Sequence, residues 1–336
     1  MRPELIRLLN LTERVGRDPL LTQASTGNSS AKLDGVLWIK ASGKWMADAR
    51  AEGFLIPLDL ADVLEECRRQ VDPAERFEGA SLETALHATL PQRMVLHLHC
   101  INTIAWAVRA DAEKQLGRRL EGLAWQWIPY APSGLALARE MERAMAARPA
   151  TDLFVLGNHG LVICGNDAES LEGLLNEVRQ RLAIVPRKPR PADYEGLTEI
   201  SRGSRWRLPK DDAVHALGTD KMAQAILAGG MLYPCQAIFS DCGTPDVFRP
   251  IACRCVEPGW LSRLAERPFV IVDGRGVLVS ETIGPAELAM IRGLAQVVQR
   301  LSPETPLRYL TEGEIAAIPR HVASRYRELA NLVDRV

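Results

Sequence analysis

Met94-Val95-Leu96-His97-Leu98-His99 is an apolar stretch that starts shortly after Pro91 and carries two histidines two positions apart. A short apolar run with such boundaries is typical of a buried strand. Side chains two positions apart on a strand point to the same face, so His97 and His99 should project together. Two neighbouring neutral imidazoles are half of a tetrahedral metal site. A buried structural histidine that shares its face with a second histidine would give the same pattern, and this alternative stays open.

The composition is that of a folded protein with about two domains. The chain has 336 residues, 47% of them hydrophobic, and a formal net charge of −1. These values argue against a disordered chain, and no basic run is long enough to coat a nucleic acid. The segment Met1 to Leu5 contains an early acid and no long apolar run, so we expect neither a signal peptide nor a membrane span. Seven cysteines, an odd number, fit a reducing cytoplasm better than a disulfide framework.

Two loops of small polar residues bracket a strand predicted at residues 36–39. The first loop is Ser25-Thr26-Gly27-Asn28-Ser29-Ser30, and the second is Ala41-Ser42-Gly43. Small residues let backbone N–H groups approach a ligand, and Ser and Asn side chains add donors. The two loops therefore suit an anion, although ordinary turn chemistry would use the same residue types.

A helix is predicted to begin after Ser81, which would cap it. Glu83 then falls in the first turn, where the helix dipole favours a carboxylate. His87 lies four residues further on, on the same helix face. Glu83 is therefore either a structural partner of the dipole or a chemically active group.

A tight turn, Gly157-Asn158-His159-Gly160, joins two apolar strands predicted at residues 154–156 and 161–163. The turn holds His159 at the end of a strand. As an isolated feature, it would be an ordinary surface histidine.

The proline-rich segment 186–191 marks a domain boundary. We predict a first domain over residues 1–186 and a second α/β domain of unknown role over residues 187–336. In the second domain, Met231 to Phe239 is predicted to form a strand that Pro234 interrupts.

A second hairpin is predicted around Asp273-Gly274-Arg275-Gly276, followed by a helix. This segment echoes residues 154–182, with Arg275 where His159 stands. The echo indicates either a degenerate repeat without a metal or a coincidence.

Four cysteines in the second domain form another candidate metal group, or else they are buried structural thiols. Their irregular spacing favours the thiols. They are Cys235, Cys242, Cys253 and Cys255.

Taken together, these stretches resemble the class II aldolase/adducin family, the zinc-dependent sugar-phosphate aldolases and their epimerase relatives. Thr26-Gly27-Asn28-Ser29-Ser30 and Ser42-Gly43 resemble its two substrate loops, and Ser81-Leu82-Glu83 resembles its catalytic-glutamate motif. His97-Leu98-His99 and Asn158-His159-Gly160 resemble its metal ligands. Five motifs in matching order span about residues 10–185, which is far more specific than any one motif.

Within the family, the chain is most similar to the aldolase half of the bifunctional rhamnulose-1-phosphate aldolase/lactaldehyde dehydrogenase proteins. No Gly-x-Gly-x-x-Gly motif follows residue 190. We therefore expect no dehydrogenase half in this chain.

The resemblance implies roles for particular residues. It implies a divalent ion, usually zinc, with three ligands: His97, His99 and His159. Glu83 would be the fourth group, close enough to bind the metal at rest and to act as the base once substrate displaces it. The implied substrate-binding residues are Gly27, Asn28, Ser42, Gly43 and Ser81.

Three positions qualify the resemblance. Tyr130 resembles the tyrosine that donates a proton across a subunit interface in the fuculose-phosphate aldolases, or it is an ordinary half-buried tyrosine. Leu82 stands where some of these aldolases have a second phosphate-binding serine, which weakens the case for phosphate. Cys100 stands where the family often has proline, and it adds a thiol near the predicted metal.

The resemblance implies an α/β fold with helices covering a largely antiparallel sheet, in a homo-oligomer that is a tetramer. It implies a zinc-dependent aldolase that cleaves a carbon–carbon bond of a ketose phosphate or related hydroxy-ketone through a metal-stabilised enediolate. An epimerase, dehydratase or decarboxylase would use the same metal site. A non-catalytic, adducin-like binding protein is the alternative of a different class. We expect a small-molecule substrate, a cytoplasmic location, and neither a nucleic-acid nor a membrane partner.

Overall fold

The computed structural model of this chain describes residues 2–239, 245–252, 264, 267–302, 304–318 and 320–332. The chain divides into two units. The first unit comprises Met1–Ala107, Asp111–Ala183 and Glu328–Val336. The second unit comprises Val108–Ala110 and Ile184–Arg327.

The first unit is built on a seven-stranded sheet. Its strands are β1 (Asn28–Leu33), β2 (Val36–Lys40), β3 (Leu55–Asp59), β4 (Met94–Leu98), β5 (Trp125–Ile128), β6 (Leu153–Leu156) and β7 (Gly160–Gly165). They lie in the order β3-β2-β1-β4-β7-β6-β5, and neighbours are antiparallel except for the parallel pair β5 and β6. The expected α/β fold with a largely antiparallel sheet is confirmed.

The helices of the first unit lie between and around these strands, and several begin at clear capping residues. They are α1 (Pro3–Gly16), α2 (Leu60–Arg68), α3 (Pro73–Arg76), α4 (Thr84–Thr89), α5 (Ile101–Ala107), α6 (Ala112–Arg119), α7 (Leu135–Ala147) and α8 (Ala168–Arg181). The Asp59 and Asp167 side chains accept backbone N–H groups at the starts of α2 and α8, which satisfies donors that a helix start leaves unpaired. Among the described residues, no helix is both long and apolar enough to cross a membrane.

Strand β4 lies in the middle of the sheet, between β1 and β7, and all five of its residues are buried. On one face, Val95 joins a core cluster with Leu86 of α4, Met141 of α7 and Phe154 of β6. Burying such a side chain stabilises the fold by about 1.5–3 kcal/mol. The sequence around His97 and His99 is therefore fixed in place by a well-packed part of this unit.

The second unit contains a smaller, three-stranded sheet. Its strands are β8 (Trp206–Arg207), β9 (Phe269–Val272) and β10 (Gly276–Ser280), in the order β8-β10-β9 with antiparallel neighbours. The remaining helices of the chain are α9 (Tyr194–Ser201), α10 (Ala216–Thr219), α11 (Lys221–Ala228), α12 (Pro234–Phe239), α13 (Pro285–Val298), α14 (Glu312–Ala316) and α15 (Arg320–Asn331). A second α/β region, as expected, is therefore present.

The strand predicted over Met231 to Phe239 is wrong, because helix α12 begins at Pro234. The fixed φ of proline and its missing N–H suit the first position of a helix. Cys235 is buried within this helix. Cys242, Cys253 and Cys255 lie outside the described residues, so the choice between a metal group and structural thiols stays a prediction.

The β9–β10 hairpin and helix α13 follow one another as β6, β7 and α8 do in the first unit. The pairing extends further, because β8 adds to β10 in the antiparallel sense, just as β4 adds to β7. This shared order supports the repeat hypothesis without testing it. Superposition of residues 269–301 on residues 154–182 is the direct test.

The close approach of β7 to β4 depends on Gly160. A Cβ atom at this position would overlap the carbonyl oxygen of Leu98, whereas a Cβ atom on Gly173 in α8 would meet nothing within 4 Å. We predict that Gly160→Ala lowers the free energy of unfolding by about 2 kcal/mol or more, because backbone must move. Gly173→Ala, the matched control, should raise it by about 0.5–1 kcal/mol. Urea unfolding followed by tryptophan fluorescence measures both, and equal effects of the two changes would contradict the prediction.

Candidate metal centre

Three histidines from two separate segments come together at one end of the sheet. His97 lies in β4, His99 follows β4 directly, and His159 lies in the turn between β6 and β7. Their ring centroids are 4.9–5.0 Å apart. All three are buried, and one ligand atom from each lies within 4.8 Å of the others. The sequence-predicted ligand set is thus assembled in one place.

The hydrogen bonds of His97 define which of its nitrogen atoms presents a lone pair. Its Nδ1 lies 3.0 Å from the carbonyl oxygen of Leu161, which can only accept, so Nδ1 carries the proton. The Nε2 atom therefore presents a lone pair, and it lies 3.1 Å from Nε2 of His99. Burial lowers the pKa of His97 to about 4 and holds the pKa of His99 well below its usual value. Two neutral imidazoles in this arrangement need a proton or a cation between them.

Glu83 completes the cluster from the start of α4. Its Oε2 lies 3.3 Å from Nε2 of His97, and its Oε1 lies 3.2 Å from Nε2 of His159. Oε1 is buried and makes no hydrogen bond of good geometry. Burial raises the pKa of this carboxyl, but His97 and His159 outweigh that effect and bring its pKa well below the usual range. Glu83 is accordingly a carboxylate aimed at the imidazoles.

The helix-dipole interpretation of Glu83 placed this residue in the first turn, and that placement is wrong. Helix α4 begins at Thr84, and Glu83 is the residue before it, with no capping hydrogen bond from its side chain. The Ser81 hydroxyl oxygen instead accepts the backbone N–H of Glu83 at 3.3 Å. The Asn28 amide, which donates to Oε2 at 2.8 Å, holds the carboxylate in this orientation.

The spacing of these four groups matches the requirement of a metal. Metal–nitrogen bonds of about 2.0–2.1 Å place two tetrahedral ligands roughly 3.3 Å apart. The distances between the facing atoms of the imidazoles and the carboxylate are 3.1, 3.2 and 3.3 Å. A set of converging lone pairs at this separation, with one buried oxygen lacking a hydrogen bond, fits a divalent cation.

Asn28 and Ser81 join this cluster directly. Asn28 lies opposite His97 in the β1–β4 pairing, and its Nδ2 donates to Oε2 of Glu83 at 2.8 Å and to Oγ of Ser81 at 3.3 Å. Gly27 has a φ of 73°, and a Cβ atom there would lie 2.7 Å from the His97 carbonyl oxygen. Glycine is therefore required for the first loop to reach β4.

A family model described as the Class II Aldolase and Adducin N-terminal domain matches residues 7–183, more than half of the chain. The chain belongs to this family. The match confirms the resemblance drawn from the five motifs. Class II aldolases use a divalent metal, and the buried histidine triad of this chain can hold one. Membership favours a metal-dependent lyase.

The similarity to individual proteins is partial. The protein YuxG of Bacillus subtilis (strain 168), described as an uncharacterized oxidoreductase, is 29% identical over an alignment of 189 residues, and the match covers 50% of this chain and 27% of YuxG. This chain thus spans about a quarter of the length of that curated relative.

Solved structures with detectable similarity include two proteins from thermophiles. The N-terminal class II aldolase domain of a conserved protein from Thermoplasma acidophilum is 23% identical, with a TM-score of 0.46, and the match covers 54% of this chain and 93% of that one. L-fuculose-1-phosphate aldolase from Thermus thermophilus is 20% identical, with a TM-score of 0.37, and the match covers 52% of this chain and 92% of that one.

Three further predicted site residues are Ser42, Gly43 and Tyr130. The Ser42 N–H donates to the Gly79 carbonyl oxygen at 2.9 Å, so that donor is already used within the protein. Gly43 has a φ of 77°, and a Cβ atom there would overlap Leu329 of the C-terminal segment of the same unit. Tyr130 is half-buried in the loop after β5. The roles of these three residues remain proposals.

Lys40 is a buried lysine beside the predicted substrate loops that the sequence analysis did not single out. Its side chain is buried, and its Nζ donates to the carbonyl oxygens of Ser25 at 2.9 Å and Lys44 at 2.7 Å. Lys40 therefore ties together the two loops that were predicted to bind an anion. Burial lowers the pKa of its ammonium group to about 7. The available signal was a lone lysine at the end of the apolar run Val36-Leu37-Trp38-Ile39.

The lowered pKa of Lys40 predicts a pH-dependent stability. Below about pH 7 both the folded and the unfolded states bind the proton, and the full cost of burying the charge is present. As pH rises, the folded state loses this proton first, while the unfolded state keeps it up to the ordinary value of 10.5. The free energy of unfolding, relative to that of Lys40→Met, should therefore increase by about 2 kcal/mol between pH 7 and pH 9. Urea unfolding at several pH values measures this difference. Lys44→Met, which removes an exposed amine, is the control. Parallel plots of unfolding free energy against pH for wild type and Lys40→Met would refute the prediction.

Proposed function

We propose that this protein is a zinc-dependent aldolase that cleaves a carbon–carbon bond of a ketose phosphate or a related hydroxy-ketone. The observation that carries the proposal is the convergence of three imidazoles and one carboxylate, in which His97 faces His99 at 3.1 Å and Glu83 faces His159 and His97 at 3.2 and 3.3 Å. Membership of the class II aldolase and adducin family supports a lyase. The proposal includes a cytoplasmic homo-oligomer, a tetramer, as the family resemblance implies.

His97, His99 and His159 would hold the metal. Neutral imidazole nitrogens arranged around one point suit zinc better than magnesium or calcium, which prefer oxygen ligands. When bound, the ion supplies Lewis-acid stabilisation of the negative charge that develops on the substrate oxygens. Leu161 assists by accepting from Nδ1 of His97, which keeps the other ring nitrogen directed at the cluster.

Glu83 is the proposed base. Asn28 holds its Oε2 by a hydrogen bond of 2.8 Å, whereas its Oε1 makes none. Oε1 is therefore the atom that can take a proton from the substrate and return it. Cleavage beside a carbonyl leaves an enediolate, and the same carboxylate is placed to protonate it. Tyr130 is the proposed proton donor to the aldehyde oxygen in the reverse, bond-forming direction; in cleavage the same oxygen gives up its proton to Tyr130 or to the base.

The substrate side of the site is proposed to consist of Gly27, Asn28, Ser42, Gly43 and Ser81. The assignment is best supported for Asn28 and Ser81. Asn28 donates to the Glu83 carboxylate, and the Ser81 hydroxyl accepts from the Glu83 backbone N–H and from the Asn28 amide. Lys40 adds a positive charge beneath the loops whenever it is protonated, which favours an anionic group such as phosphate.

A screen of ketose 1-phosphates for release of an aldehyde tests the reaction, and product analysis separates cleavage from epimerisation, dehydration and decarboxylation. A protein that binds these compounds without changing them would instead match the adducin-like alternative.

Removal of one histidine should release the metal. We predict that His159→Ala loses most of its zinc on dialysis, because two imidazoles and a carboxylate hold a labile ion weakly. The same result is expected for His97→Ala and His99→Ala. Elemental analysis of purified protein measures the metal content, and His215→Ala, a buried histidine outside the cluster, is the matched control. Full zinc occupancy in His159→Ala would contradict the three-histidine assignment.

Glu83→Gln should separate catalysis from structure. The change keeps the shape of the side chain and removes its proton acceptor, so turnover should fall roughly a hundredfold or more. Zinc content should remain near normal, because the three histidines are intact. Turnover and zinc are to be measured in the same preparation. An active, zinc-loaded Glu83→Gln protein would return Glu83 to a structural role, and if both quantities are lost, Glu83→Asp separates the ligand from the base.

A further inference from the structure

His87 is fully buried in α4, four residues after Glu83, and both of its ring nitrogens have partners on β1. Its Nδ1 lies 2.7 Å from Oγ of Ser30. Its Nε2 makes a hydrogen bond with Oδ1 of Asn28. Asn28 and Ser30 are two positions apart on β1, so their side chains point to the same face of the sheet. Together they contact both ring nitrogens of His87. The pairing is therefore a consequence of strand periodicity.

The direction of each hydrogen bond in this chain of groups follows by elimination. The Glu83 carboxylate can only accept, so the Asn28 amide turns its NH2 group toward Oε2, at 2.8 Å. The Asn28 oxygen then faces His87, and since an amide oxygen also only accepts, the His87 proton is on Nε2. Nδ1 of His87 therefore accepts from the Ser30 hydroxyl. Burial lowers the pKa of His87 to about 3, in keeping with a neutral ring that has one donor and one acceptor.

This order of donors matters at the carboxylate. Without the His87 N–H, the Asn28 amide would lose the one bond to its oxygen that opposes rotation by half a turn, and only the bonds of its NH2 group to Glu83 and Ser81 would still oppose it. The rotated amide would present its oxygen to Oε2 of Glu83, which is repulsive. Oε2 would then be free to move, and Oε1 with it.

We infer that His87 is a positioning residue for the reaction, which acts by fixing the Asn28 amide and, through it, the Glu83 carboxylate beside the histidine triad. The inference rests on the proposed function, in which Glu83 is the base. The partners of the His87 ring nitrogens are Asn28 and Ser30, so His87 acts through other residues. It sets the direction of one carboxylate oxygen by a relay of three hydrogen bonds.

The first test compares His87→Leu with His87→Gln in the zinc-loaded protein. Leucine fills the space without a donor, whereas the glutamine amide can donate to Asn28. We expect kcat of His87→Leu to fall about tenfold or more with KM within roughly threefold, as for other residues that orient an active group. His87→Gln should recover most of that loss, and zinc content should be equal in all three proteins. Wild-type kcat in His87→Leu, or equal losses in both variants, would overturn the inference.

A double variant shows whether the effect passes through Glu83. If His87 acts only by positioning this carboxylate, His87→Leu combined with Glu83→Gln should be no slower than Glu83→Gln alone. Additive losses would overturn the inference. Should His87→Leu fail to fold, Ser30→Ala takes its place, because it removes the hydroxyl that donates to Nδ1 of His87 and leaves the ring held by Asn28 alone. A loss of kcat that disappears in the Glu83→Gln background is then expected, and an unchanged kcat or an additive loss would overturn the inference.

A readout that is independent of turnover distinguishes failure of this inference from failure of the proposed function. In protein loaded with cobalt(II), the visible absorption reports the ligands of the ion, and Glu83→Gln provides the reference without the carboxylate. We expect the His87→Leu spectrum to shift toward that reference and the His87→Gln spectrum to remain near wild type. Nitrogen NMR of labelled histidines should show the His87 proton on Nε2. An unchanged cobalt spectrum in His87→Leu, or a proton on Nδ1, overturns the inference even if no substrate is turned over.

Discussion

The structure of the first unit depends on one electrostatic constraint, the meeting of lone pairs from three buried imidazoles and one carboxylate. The facing atoms of His97, His99, His159 and Glu83 are 3.1–3.3 Å apart where distances between them are defined. Lone pairs do not approach so closely in a buried site unless a proton or a cation lies between them. The surrounding protein must therefore hold these groups against their mutual repulsion, and the central position of β4 serves that purpose.

The sheet topology brings distant parts of the sequence to this point with little freedom. Asn28 on β1 lies opposite His97 on β4, and β7 on the other side of β4 places His159 at the adjoining turn. Gly27 and Gly160 allow the backbones to approach β4 more closely than any other residue would. A change of strand register by one residue would point His97 to the opposite face of the sheet. The pairing of β1 and β7 with β4 is therefore as necessary for the cluster as the identity of its side chains.

Much of this was readable from the sequence, because strand periodicity and a tight turn are local features. The His97-Leu98-His99 spacing and the turn at His159 provided the three candidate ligands, and the family motifs provided their grouping. Glu83 was predicted within the first turn of α4, whereas it is the residue before that helix. Local helix propensity cannot show that its side chain turns toward histidines that are distant in the sequence. The roles of Lys40 and His87 were missed for the same reason: each depends on hydrogen bonds to residues that only the folded sheet brings near. At Pro234, an apolar run was assigned to a strand although proline is equally suited to begin a helix.

In the second unit, the described strands β8, β10 and β9 pair in the same order as β4, β7 and β6 of the first unit, but the hairpin turn carries no histidine. At the turn where His159 would correspond, Arg275 lies with its guanidinium 3.4 Å from the Asp193 carboxylate. A guanidinium has no lone pair for a metal, and it neutralises the carboxylate beside it. Strand β8, the counterpart of β4 in the pairing order, is only two residues long and contains Trp206 and Arg207. Within the part of the chain that the structure describes, the triad of the first unit is the one group of three such side chains near enough to share an ion. If the two halves share an ancestral arrangement, the described part of the second unit has kept the hairpin and has Arg275, not a histidine, at the turn.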